Sequence, residues 1–151
     1  MIISARFNGP PGTGNGGYTS GLVASHVDDA AHGVRVRLHR PPPLDTELTV
    51  DDGSTVRVYA GTDLVAEASR EAVGDEVVAG VPFAEALTAA AVYSGLVAHP
   101  FPTCFVCGPQ REPGDGLRVF PGRLGDGRTA APFVVPPDIS PVLVWAALDC
   151  P

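Results

Sequence analysis

A chain of 151 residues is long enough for one ordinary domain with a real core, and 44% hydrophobic against 18% charged residues makes it globular rather than disordered. Its net charge of −7, with no lysine and arginines scattered singly, argues against a nucleic-acid backbone or an anionic membrane surface as partner. No apolar run approaches the roughly 20 residues of a spanning helix, no basic-then-apolar leader opens the chain, and three cysteines is an odd number, so a reducing cytoplasm is the expected location.

In chain order, residues 2–7 read as a short strand. Residues 8–17 are a Gly/Pro loop, Gly9-Pro10-Pro11-Gly12-Thr13-Gly14-Asn15-Gly16 at its centre. Its first six residues resemble the opening of a phosphate-binding loop, but Asn15 and Gly16 stand where that loop needs Lys and Ser or Thr. Tyr18 to Val27 follow as a helix, with Tyr18, Leu22 and Val23 on one face and Gly16-Gly17 at its N-terminus. The alternation Val34, Val36, Leu38 against Arg35, Arg37, His39 predicts a half-buried strand ended by Pro41-Pro42-Pro43. Residues 48–50, 55–59 and 63–70 read as three more strands, joined by turns at Asp52-Gly53 and Ala60-Gly61.

Phe83 to Val97 is Ala-rich and predicts a connecting helix. Cys104-Phe105-Val106-Cys107-Gly108-Pro109 then opens a second strand region, with strands expected at 117–120 and 129–135 and a helix start at 141–149. The second region repeats the first coarsely: strands, loop, helix start. An α+β domain follows, with a helix laid against an antiparallel sheet.

Two motifs resemble the hotdog-fold acyl-CoA thioesterases, particularly the phenylacetate-type enzymes and their double-hotdog relatives. Asn15-Gly16-Gly17 opening a helix is similar to that family's His-Gly-Gly, and Cys104 to Pro109, followed by Pro113 and Gly116-Leu117, looks like its cysteine-containing segment before the first strand. The resemblance implies a hotdog fold, a helix wrapped by an antiparallel sheet: a first unit at 1–75, a connecting helix at 76–98 and the front part of a second unit at 99–151. Such a second unit, without the strands after its helix, would leave sheet edges and apolar surface to be covered, so a homodimer or a completing chain is expected.

The family pattern places an acid nine positions after the His. Nine after Asn15 stands Ala24, and nine before Asp149 stands Ser140, followed by Pro141 and Val142 rather than two glycines. Each half thus keeps one component. The resemblance implies one composite site in which Gly16 and Gly17 face Asp149. Asp149, Asn15 and Gly17 would be catalytic and Gly14, Gly16 and Tyr18 would bind substrate, with an acyl-CoA or related thioester as partner and no cofactor. In such a site the N–H groups of a helix start stabilise the oxyanion, the carboxylate activates water or attacks the thioester, and the Asn15 amide holds carbonyl or water. A non-catalytic acyl-CoA-binding or assembly module of the same fold is the alternative, since His and the first acid are replaced.

Other features read more plainly. The Gly-rich run is also compatible with a flexible connection and an ordinary helix start, and Asp149 with a surface residue at a helix end. Cys104 and Cys107 have the spacing of a zinc half-site, and His99 and Cys150 complete four ligands on paper, as in a small zinc-stabilised interaction protein. No second pair at short spacing exists, so two ordinary strand cysteines and no metal are expected. His26, His32 and His39 stand isolated, and Trp145 is expected in the core.

Overall fold

In the computed structural model, residues 1–28, 33–74 and 76–150 are described. His32 lies outside them. The architecture is α+β: three helices and a four-stranded antiparallel sheet. The helices are α1 (Gly16–Ala24), α2 (Phe83–Ala90) and α3 (Pro141–Leu148). The sheet holds β1 (Val34–Leu38), β2 (Thr49–Asp51), β3 (Val56–Ala60) and β4 (Asp63–Arg70), in the order β1-β4-β3-β2. No helix among the described residues is long and apolar enough to cross a membrane.

The alternation that predicted these strands is a burial pattern. Val56 and Val58 of β3 are buried while Arg57 between them is exposed. The β3–β4 hairpin closes Ala60 on Asp63, and Gly61 adopts φ +61° in the turn, a conformation that costs a side-chain-bearing residue energy. Between Val58 and Tyr59 the register shifts, so Val65 has no partner across the ladder, and Val65 and Ala66 are both buried. Helix α1 lies against β1 and β4, and its Val23 joins Ile3, Leu48, Val56, Val58, Ala66 and Ala68 in the first core.

Several sequence expectations change. Residues 2–7 are not a strand: Ile2 bridges Glu47 and then Ala5–Phe7 form a 3-10 turn capped by Ser4. The helix expected from Phe83 to Val97 stops at Ala90, and a separate 3-10 turn occupies Ser94–Leu96. Cys104 to Gly108 is a turn rather than a strand, with the Gly108 N–H donating to the Cys104 carbonyl at 2.9 Å. Leu117 and Val119 donate to the carbonyls of Phe105 and Val106, yet 117–120 form no strand. The 129–135 strand shrinks to β6 (Thr129–Ala130), paired with β5 (Gly122–Arg123). Pairings this short carry too few alternating side chains to leave a periodic signal.

A second core forms from Cys104, Phe105, Val106, Val119, Ala146 and Ala147. Phe7 and Tyr18 pack against both cores, their rings stacked at 3.8 Å between centroids, with Phe105 edge-on to Phe7 at 4.9 Å. Helix α3 crosses from the second core onto α1. The two helices run antiparallel, since Gly17 meets Trp145, Ala146 and Asp149 while Gly21 meets Val142. Their contact tolerates no side chain: a Cβ on Gly17 would fall 2.5 Å from the Trp145 carbonyl oxygen, and one on Gly21 2.8 Å from Val142 Cα.

Candidate active site at the α1–α3 seam

The Gly-rich run is a closed, hydrogen-bonded loop. Gly9 N–H donates to the Thr13 carbonyl, Thr13 N–H to Pro10, and Gly14 N–H to Pro42 at 2.8 Å. Asn15 N–H donates to the Phe7 carbonyl, which sets the residue that starts α1. Asn15 then caps the helix: its Oδ1 accepts the Tyr18 N–H at 2.8 Å. The amides of Gly16 and Gly17 find no protein acceptor among the described residues, as expected at the first turn of a helix.

Asp149 packs against the Gly16 and Gly17 backbone. It caps the C-terminus of α3, and its Oδ2 lies 3.2 Å from where a Cβ on Gly16 would stand. Glycine at 16 and 17 is therefore what admits the carboxylate to the helix start, where the partial positive charge of α1 favours an anion. Beside the pair, Gly17, Ser20, Val144, Trp145, Leu148 and Asp149 line a cleft of about 360 Å³, mostly apolar and within the size range of small-molecule sites. Trp145 thus borders a cleft as well as packing in the seam.

The structure brings Gly16, Gly17 and Asp149 together and sends the other three candidates elsewhere. Gly14 is buried, with Ile3 and Thr19 against it. Asn15 is 3% exposed, with Oδ1 on the cap and Nδ2 toward Cys104 Sγ at 4.0 Å. Its cap bond sets the start of α1. Tyr18 lies on the opposite side of α1, in a larger cleft of about 540 Å³ shared with Phe7, Phe105, Leu117 and Leu143. Burial raises the Tyr18 hydroxyl above its ordinary range, with the Arg6 charge opposing.

Of two further features, the first escaped sequence reasoning and the second was legible only as a set of ligands on paper. Arg111 organises the segment before the second core. Its guanidinium donates to the carbonyls of Thr103 at 2.9 Å and Arg6 at 2.7 Å, to Asn8 Oδ1, and to Asp115 at 2.7 Å. Arg111 and Arg6 hold the Asp115 carboxyl below its ordinary value. The second feature is a cluster of three sulfurs: Cys104, Cys107 and Cys150 lie within 4.8 Å of one another, all free thiols. Cys150, far along the chain, is delivered by the end of α3, which no local spacing signals. The isolated histidines are surface pairs: His26 with Asp52 at 3.3 Å and His39 with Glu67 at 3.2 Å.

No family model matches the chain, and no curated protein and no solved structure matches it either.

Proposed function

We propose that the α1–α3 seam is the active site of a thioester hydrolase of hotdog type, acting on an acyl-CoA or a related thioester. The observation that carries this reading is the Asp149 carboxylate set against Gly16, with two unpaired helix amides beside an apolar cleft. In the reaction, the thioester carbonyl oxygen takes the Gly16 and Gly17 N–H groups, which stabilise the negative charge that forms there. Asp149 removes a proton from a water molecule as it adds to the carbonyl carbon. The C–S bond then breaks, the thiolate leaves with the proton, and the acid product remains. The acyl chain lies along Val144, Trp145 and Leu148. Three free thiols suit a reducing compartment, in our reading the cytoplasm.

A binding module of the same fold is the second reading. It is favoured by the burial of Asn15, which leaves no side-chain amide to orient carbonyl or water. Thiol release from a panel of short, long and aromatic acyl-CoAs separates the two. Turnover on at least one ester is expected; saturable binding of an ester without any thiol release would establish the binding module instead.

A further inference from the structure

The three sulfurs call for an explanation that packing does not give. Cys104 and Cys107 sit on one tight turn and Cys150 arrives from the end of α3, yet all three Sγ atoms converge within 4.8 Å. A zinc–thiolate bond of about 2.3 Å in tetrahedral geometry places sulfurs roughly 3.8 Å apart, so a small contraction closes the cluster on one ion. An odd number of thiols cannot be consumed by disulfides, and the three are free.

The turn that carries two of the sulfurs is held by its own backbone. Phe101 accepts the Cys104 N–H and Cys104 accepts the Gly108 N–H, both at 2.9 Å, which folds the chain back on itself. A Cβ on Gly108 would fall 2.5 Å from the Cys104 backbone, so glycine is needed there. Asn15 Nδ2 approaches the Cys104 sulfur at 4.0 Å, and Cys104 is only 3% exposed, so the cluster lies at the inner side of the turn. Adjacent thiolates repel, and a divalent cation is the group that reconciles them.

We propose that Cys104, Cys107 and Cys150 bind one zinc ion as three thiolates, leaving the fourth position to a water molecule. Loading replaces three S–H protons, which are released to solvent, and changes no oxidation state. His99 is excluded as the fourth ligand. Its Nδ1 accepts the Phe101 N–H at 2.8 Å, so the neutral ring carries its proton on Nε2 and has no lone pair left to give. The ion would tie the residue after Asp149 to the turn that Asn15 touches, fixing the end of α3 against the start of α1. The site stands on its own geometry and does not depend on thioester hydrolysis.

The test is elemental analysis of the intact chain purified without added metal, together with its intact mass and its cobalt(II)-loaded absorption spectrum. Zinc at about one equivalent per chain, and thiolate-to-cobalt charge transfer with tetrahedral ligand-field bands, are expected. Cys150→Ser should lower zinc content at least about tenfold, and His99→Ala should leave it unchanged. A metal-free chain that gives no cobalt–thiolate spectrum, a chain containing iron in place of zinc, or a mass showing a disulfide would each overturn the site. Loss of zinc in His99→Ala would overturn the three-cysteine assignment. Should Cys150→Ser fail to fold, wild-type metal content and the cobalt spectrum decide alone.

Discussion

At the scale of single residues, the first turn of α1 shows how one side chain admits two readings. Asn15 precedes two glycines, and its amide invites a catalytic role. The same residue type is among the best helix N-caps, and the structure uses it so, with the cap bond at 2.8 Å. Sequence alone could not decide, because both roles ask for a short amide in the same place. Asp149 was legible through the family resemblance, but its position against Gly16 depends on tertiary packing. Arg111 gave no signal, since a lone arginine in a Gly/Pro-rich stretch reads as surface. Its planar fork bonds two backbone carbonyls and Asn8 at once, and its side chain is only 14% exposed. Arg111→Lys keeps the charge but loses the fork, so about 2 kcal/mol of stability should go, measured by urea unfolding; an unchanged midpoint would deny it this role. Asp115 has a folded-state pKa held below its ordinary 3.8 by Arg111 and then Arg6. Its contribution is therefore fully present above about pH 4 and is lost as pH falls through the lowered value. The stability gap between wild type and Asp115→Asn should be constant at neutral pH and close below that point. A gap that widens on acidification would reverse the assignment.

At the scale of elements, the first half was the readable half. β1 and β3 announce themselves because valine and arginine alternate along them, whereas β4 is read from its turn and length, since its adjacent Val65 and Ala66 are both buried. The second half was not readable as strands because it is made of turns, a two-residue ladder and single cross-bonds such as Leu117 to Phe105. The helix over 83–97 was overextended, since its alanine content continues past Ala90 while the backbone turns at Tyr93-Ser94-Gly95. The α1–α3 seam rests on glycines at 17 and 21, one turn apart, which let two backbones touch. Gly21→Val should push α3 away from α1 and cost about 1–3 kcal/mol as overpacking, read as a lower thermal midpoint. The same variant should reduce any thioesterase activity more than Ser20→Ala does; a Gly21→Val protein as stable as wild type would show that the seam is looser than described.

At the scale of the whole molecule, two cores meet through the stacked rings of Phe7 and Tyr18, and the candidate site lies where the helices of the two regions cross. The Gly-rich loop leads into the start of α1, Asp149 at the end of α3 packs against it, and Asn15 Nδ2 approaches the Cys104 sulfur at 4.0 Å. In the proposed site, the acid absent at Ala24 is supplied by Asp149, which lies against Gly16. The most direct measurement is kcat/KM for thiol release from the best acyl-CoA substrate by wild type and by Asp149→Asn, with thermal unfolding of both. A carboxylate acting as base or nucleophile predicts a loss of at least about 100-fold with an unchanged melting temperature. Activity within about twofold of wild type would contradict a catalytic role for Asp149 and with it the composite site.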